Sequence, residues 1–468
     1  MRQRIGLRYK AGLRFTTELL ILALLALMLS ACSKPAAQPP DLTDAQLDER
    51  ARTFLRFMAE DKPEDAVKMM ESRMATAMPA AKAAETWQTL VGQAGAFDRI
   101  SGTRMAVEAG YRCVYVTCKF EKAAVDAKVV FDAAGKVTGL WFGPSQAEAP
   151  SYNQPAYADT SAFSETECVV GTSQWKLPGT LSMPKGKGPF PAVVLIHGSG
   201  ANDRDETVGP NKPFKDLAWG LASRGIAVLR YEKRTKQYPA ETSALMETFT
   251  VKEEVLDDAL SAVALLKETE GVDPDRVYVL GHSLGASLAP RIGAEAGEAN
   301  GESSVAGLIM LAPNARDLSI LIEEQVQYIA SLDGSVDDTE SAEIARVKGD
   351  MDKVRDGRLQ AGEVVMGASK AYWDDIMAYN PVETAKSLNL PMLILQGERD
   401  YQVTMEDFGL WEEALEGKDG TLLKSFPALN HLFIPGEGKS APAEYQNPGI
   451  VDPAVIDIIA TWLSEEAL

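Results

Sequence analysis

The sequence predicts an α/β fold, a mostly parallel sheet covered by helices with a helical cap insertion, preceded by a small α+β domain. Three observations predict it. Past residue 162, short Val- and Ile-rich runs alternate with amphipathic helical stretches, as in strands buried on both faces of a parallel sheet. Ahead of residue 146, helical spacing comes first and strand alternation after it, which is the order of an α+β unit. Between about 315 and 385 the strand–helix rhythm gives way to charged segments of helical pattern.

The chain has 468 residues, 46% hydrophobic and 24% charged, enough apolar material for two or three domains with a sizeable core. Residues 1–31 read as an export signal. Arg2, Arg4, Arg8, Lys10 and Arg14 form a basic head, and an unbroken apolar run follows from Leu19 to Leu29. Such a run has the length of a signal-peptide core and falls short of a spanning helix. It ends in Leu29-Ser30-Ala31-Cys32, which resembles the lipobox of bacterial lipoproteins. That resemblance implies lipid attachment at Cys32 and a membrane anchor that does not span the bilayer. Ser33, after the cysteine, does not signal inner-membrane retention, so the implied home is the cell envelope, with the outer membrane favoured. Residues 32–42, "CSKPAAQPPDL", form a Pro-rich tether.

The formal net charge is −20. Residues 1–31 hold five basic groups and one acid, Glu18, so the rest of the chain stands near −24. A surface this acidic disfavours nucleic acid, whose phosphates need basic groups, and a polybasic membrane contact. Three cysteines follow the tether: Cys113, Cys118 and Cys168. Cys113 and Cys118 lie five apart in one strand-like run, roughly 16 Å if extended, too far to bridge. No disulfide is assigned.

Residues 43–145 form the first unit. Leu47, Ala51, Leu55 and Met58 recur at helical spacing, with Thr43 as a cap. "AETWQTLVGQAGAF" reads as a second helix, and "YRCVYVTCKFE" and "AAVDAKVVFDAAGKVTGLWFGP" as strands with a turn at residues 133–136. This stretch resembles the small domain of unknown function fused ahead of some bacterial esterase-type hydrolases, and a docking or solubilising role is the expectation. Residues 146–162 are a polar, Pro-containing linker.

Residues 163–468 form the second unit. "PAVVLIHGSG", "GIAVLRYEKRT", "RVYVLGHS", "VAGLIMLAPNA" and "LPMLILQGERD" each read as a strand and the loop after it. Helices such as "VKEEVLDDALSAVALLKETEG" intervene. The crossovers place the chemistry beyond the carboxyl ends of the strands. The insertion at 315–385 then hangs over the site as a cap, with Tyr372, Trp373 and Tyr379 as wall residues of a pocket.

Gly281-His282-Ser283-Leu284-Gly285 fits G-x-S-x-G. The pentad alone is weak; its place is not. Ser283 ends a predicted strand and opens a helix, as a nucleophile elbow requires. The turn lifts the hydroxyl clear of the sheet at a helix N-terminus, where free amides favour developing negative charge. A serine nucleophile needs a base. Of the three histidines, His282 points away from the nucleophile and packs against the sheet, and His197 opens "HGSG" and braces that loop. His431 follows the last strand and is left as the base. "LILQGERD" supplies an acid at a strand end, Glu398 or Asp400. The oxyanion donors are the amide of Leu284 and a second from "HGSG", with Ser199 preferred to Gly198.

These residues resemble the α/β-hydrolase superfamily over residues 163–466. The order Ser, acid, His matches it, and Asp400 fits its G-x-x-D form. "HGSGANDRDETVGPNKPFKDLAWGLASRGIAVLRYEKRTKQYP" resembles the same segment of bacterial envelope and secreted carboxylesterases with a small N-terminal domain. The resemblance implies hydrolysis of short-acyl carboxylic esters through an acyl-enzyme, with Ser283, Asp400 and His431 as the triad. It implies no cofactor, and three histidines at non-ligand spacings argue against a zinc site. A serine peptidase on the same fold is the nearest competing expectation, followed by an acyltransferase or thioesterase. A non-catalytic envelope-binding lipoprotein is the competing expectation of another class.

Overall fold

A computed structural model describes residues 42–108, 111–145, 152–171, 174–298 and 305–465. Residues 1–31, read from the sequence as an export signal, lie outside the described residues, as do Cys32, most of the expected tether and the first part of the expected linker. The chain divides into two compact units, one on each side of residue 150.

In the first unit, Thr43 caps the helix Asp44–Ala59 through a capping box with Gln46, which satisfies orphan amides at its start. Leu47, Ala51, Phe54, Leu55 and Met58 are its buried face. Helices Pro63–Lys68, Ser72–Ala77 and Ala80–Ala94 follow. Then come β1 (Phe97–Glu108), β2 (Tyr111–Phe120), β3 (Ala124–Phe131) and β4 (Val137–Pro144), an antiparallel sheet in that order. The sequence reading missed β1. It is an edge strand with two register shifts, and Asp98, Arg99 and Arg104 break its apolar alternation. Gly135, at φ +71, makes the β3–β4 turn, and Asp132 Oδ1 accepts the amides of Ala134 and Lys136 there.

The second unit contains β5 (Phe163–Val170), β6 (Leu177–Pro184), β7 (Phe190–Ile196), β8 (Ala227–Tyr231), β9 (Val272–His282), β10 (Gly307–Leu311), a short hairpin β11 (Val364–Val365) and β12 (Ala368–Ser369), β13 (Met392–Gly397) and β14 (Thr421–Phe426). Eight of these form one sheet in the order β14-β13-β10-β9-β7-β8-β6-β5. The six central and later strands run parallel, and β5 and β6 add an antiparallel edge beside β8. This is the α/β-hydrolase fold.

Both faces of the sheet are covered. Along β7, Ala192, Val194 and Ile196 join one core cluster while Val193 and Leu195 join the other. That is why its sequence is apolar throughout and shows no alternation. Helices Asp257–Lys267, Leu284–Glu298 and Met405–Leu415 cover one face, and Pro213–Ala222 and Pro453–Glu465 the other.

The insertion is helical, as its pattern predicts. It comprises Leu318–Ala330, Asp338–Arg355, Lys370–Met377 and Pro381–Ser387, with the β11–β12 hairpin between the second and third. Val347, Met351, Val354, Leu359, Val365 and Trp373 give it a core of its own. Cys113, Cys118 and Cys168 all carry free thiols.

Candidate active site

Ser283 lies where β9 turns into the helix Leu284–Glu298. Its φ is +53, a left-handed conformation that L-residues adopt at a cost of order 1 kcal/mol. The two glycines of the pentad explain how the chain holds it. A Cβ on Gly281 would stand 2.2 Å from the Gly285 carbonyl oxygen, and one on Gly285 would stand 2.3 Å from that of Ile196. Neither contact is survivable without moving backbone. The Ser283 amide donates to the Leu311 carbonyl at 2.9 Å and pins the elbow to the neighbouring strand.

Asp400 follows β13 and His431 follows β14, so both meet Ser283's end of the sheet. His431 Nδ1 and Asp400 Oδ2 are 2.6 Å apart, and both side chains are buried. The amides of Gln402 and Val403 donate to Asp400 Oδ1 at 2.7 and 3.0 Å, which fixes the orientation of the carboxylate. Glu398, the other candidate acid, is exposed and accepts from the Ser425 hydroxyl. The bond to Asp400 leaves His431 Nε2 as the ring atom free to take a proton.

The loop after β7 is held from several sides. Glu206, buried and itself at φ +50, accepts the Gly198 amide on Oε1 at 2.6 Å. Lys233 Nζ donates to the Gly198 carbonyl at 2.8 Å and pairs with buried Glu254 at 2.8 Å. Asn202 Nδ2 donates to the carbonyls of Gly198 and Ser199. His197 bonds the Asp203 carbonyl through Nε2 between the rings of Phe214 and Tyr231. Burial pushes its pKa down to about 4, so it is neutral near pH 7. With the Gly198 amide engaged by Glu206, the amides of Ser199 and Leu284 remain without a protein acceptor among the described residues.

His282 differs from the sequence reading. It does not simply pack against the sheet. Its Nε2 bonds the His431 backbone carbonyl at 2.9 Å, and its Nδ1 stands 2.8 Å from Glu206 Oε2. The Nδ1 contact is off-line for a hydrogen bond, so it acts through charge more than direction. Burial opposes a charge on His282, yet the Glu206 carboxylate and the His431 carbonyl outweigh it and raise its pKa. Burial likewise opposes the Glu206 charge, and the histidines and the Gly198 amide overcome it, lowering that pKa.

A cavity of about 140 Å³ adjoins the elbow, lined by Leu284, Ser287 and Leu288 of the elbow helix and by Leu318, Ile376 and Tyr379 of the cap, among others. Of the three aromatics assigned to a pocket wall, only Tyr379 lines it, and its hydroxyl donates to the Ser287 carbonyl at 2.8 Å. Trp373 is corrected to a core residue of the cap, 3% exposed, with Nε1 donating to the Val365 carbonyl. Tyr372 is corrected to an anchor whose hydroxyl donates to Glu254 at 2.7 Å. Trp373 packs with Val365 of the short hairpin, absent from the sequence reading, in the cap's own core, whereas Tyr372 packs against the core on one face of the main sheet.

Residues 181–415 match the BD-FAE family, and 41% identity over 416 residues relates the chain to Esterase EstD of Thermotoga maritima, covering 89% of this chain and 95% of that protein. The chain belongs to the BD-FAE family. It is a carboxylesterase-like hydrolase. Residues 51–140 of this BD-FAE protein match a protein family of unknown function, DUF3887. Similar solved structures include Est1E from Butyrivibrio proteoclasticus, at 16% identity and TM-score 0.41, covering 64% of this chain and 98% of that one. An esterase from Pyrobaculum calidifontis shows 15% identity and TM-score 0.43 over 69% and 86%. Likenesses of that size bear on neither chemistry nor substrate.

Sequence reasoning missed Glu206, Lys233 and Asn202. Each is a polar residue in a loop of polar residues, and no periodicity marks it. The one usable signal is that all three fall within residues 197–239, the segment on which the sequence reading bases its resemblance to carboxylesterases.

Proposed function

We propose that the chain hydrolyses short-acyl carboxylic esters through a Ser283–His431–Asp400 triad. The observation that carries the reading is the buried Asp400–His431 pair at the strand ends that also present Ser283 and the two free amides. In this mechanism His431 Nε2 takes the proton of Ser283 Oγ as the oxygen attacks the ester carbonyl. Asp400 keeps the proton on Nδ1 and stabilises the imidazolium. The carbonyl oxygen, now an oxyanion, accepts from the amides of Leu284 and Ser199. The proton on Nε2 passes to the departing alcohol, and water then releases the acyl group by the same steps in reverse.

A cavity of about 140 Å³ beside Leu284, lined by Leu288, Leu318 and Ile376 but also by Asn314, Arg316 and Asp317, supports a short acyl group by its volume, since about 150 Å³ is room for a benzene ring. We further infer that residues 1–31 are a lipoprotein signal and that Cys32 carries the anchor in the cell envelope, on the strength of the "LSAC" pattern. A Cys32→Ala variant that still incorporates labelled fatty acid would remove that inference. Substrate class is tested with p-nitrophenyl esters of graded chain length set against aminoacyl anilides. Turnover should peak at short esters; faster cleavage of the anilides would replace the ester reading with a peptidase.

A further inference from the structure

We propose that Glu206 is a positioning residue that ties the oxyanion loop to the general-base loop, through Gly198 on one carboxylate oxygen and through His282 and the His431 carbonyl on the other. The proposal rests on the triad reading above. Four groups form one line: Gly198 N–H to Glu206 Oε1 at 2.6 Å, Glu206 Oε2 to His282 Nδ1 at 2.8 Å, and His282 Nε2 to the His431 carbonyl at 2.9 Å. Its ends are the two loops that must stay in register with Ser283. Gly198 is tight against the nucleophile, since a Cβ there would stand 3.1 Å from Ser283 Cβ. Ser199, whose amide faces no protein acceptor among the described residues, is the next residue. His282 is the residue before Ser283 and leans on the ring of His431, centroids 4.7 Å apart.

Charge explains why this line uses an acid and a histidine. A carbonyl accepts only from an N–H, so Nε2 of His282 carries a proton. A carboxylate facing Nδ1 favours a proton there as well, which makes the ring an imidazolium. A buried carboxylate alone would repel the oxyanion forming beyond Gly198; the imidazolium cancels it. The pair therefore holds geometry without placing net charge beside the reaction, and breaking one member leaves the other buried and uncompensated.

The test is steady-state kinetics of Glu206→Gln and Glu206→Ala on a p-nitrophenyl ester, with melting temperature measured alongside. Gln keeps an oxygen for the Gly198 amide but loses the charge that holds the imidazolium. It should lower kcat about tenfold with KM within about twofold, because an error of position acts on the transition state. Ala removes both ties and should lower kcat about a hundredfold or more, the scale of a lost oxyanion donor. In Glu206→Gln/His282→Ala the losses should not multiply, since the double variant leaves no unpaired buried charge. A folded Glu206→Gln or Glu206→Ala protein with kcat within about twofold of wild type overturns the proposal. So do losses that multiply in the double variant. If the Ala variant does not fold, the Gln variant decides alone. Organophosphonate labelling of Ser283 judges the triad separately: labelling at Ser283 with kcat intact in the Glu206 variants removes the positioning role and leaves the triad standing.

Discussion

His431 Nδ1 stands 2.6 Å from Asp400 Oδ2, and no part of the Asp400 side chain reaches solvent. An asparagine at that place presents an amide and no charge. The imidazole would then settle in the other tautomer, or turn, and lose its grip on the serine proton. Asp400→Asn should lower kcat on an ester by roughly 10⁴ with little change in KM. His431→Ala should lower it at least as far. An Asp400→Asn rate within tenfold of wild type would show that this carboxylate is not the orienting acid.

Tyr379 and Trp373 should part company on substitution. Tyr379 lines the 140 Å³ cavity, so Tyr379→Ala should enlarge it and move the preferred p-nitrophenyl ester towards longer acyl chains. Trp373 is buried in the core of the cap. Trp373→Ala should destabilise by about 3–5 kcal/mol, seen in denaturant melts, with the chain-length profile unchanged in the fraction that stays folded. The reverse pattern would return Trp373 to the pocket wall.

Acid should loosen the loop that His197 braces. Its pKa falls from 6.5 to about 4 on burial, so between those values the unfolded chain binds the proton and the folded chain does not. The stability His197 contributes is present above pH 6.5 and lost as pH falls to 4, about 3 kcal/mol in all. His197→Gln removes the titration and should flatten the melting temperature in that window relative to wild type. An unchanged slope would mean that His197 is not protonated on unfolding there.

The sequence made the doubly buried strands legible because β7, β9, β10 and β13 have both faces in apolar cores, leaving unbroken apolar runs. It hid β1 and β14, where polar residues interrupt or alternate with the apolar ones. The geometry supports the elbow's legibility too: Gly281 and Gly285 are sites where any Cβ meets backbone. The roles of Glu206 and His282 were not legible. Glu206 meets Gly198 within its own loop, but its contact with His282 and that of His282 with the His431 carbonyl join distant stretches of chain, and composition carries no trace of such meetings. Trp373 misled for the same reason. An aromatic in a cap reads alike whether it faces a pocket or the cap's own core.

The most direct measurement is the site of covalent labelling by an organophosphonate probe, mapped by peptide mass spectrometry, with ester turnover followed in the same sample. Phosphonylation should fall on Ser283 alone, with turnover lost in step with labelling. The folded Ser283→Ala protein should neither label nor turn over ester above a rate several powers of ten below wild type. Labelling at another residue, or full turnover by folded Ser283→Ala, would contradict the mechanism.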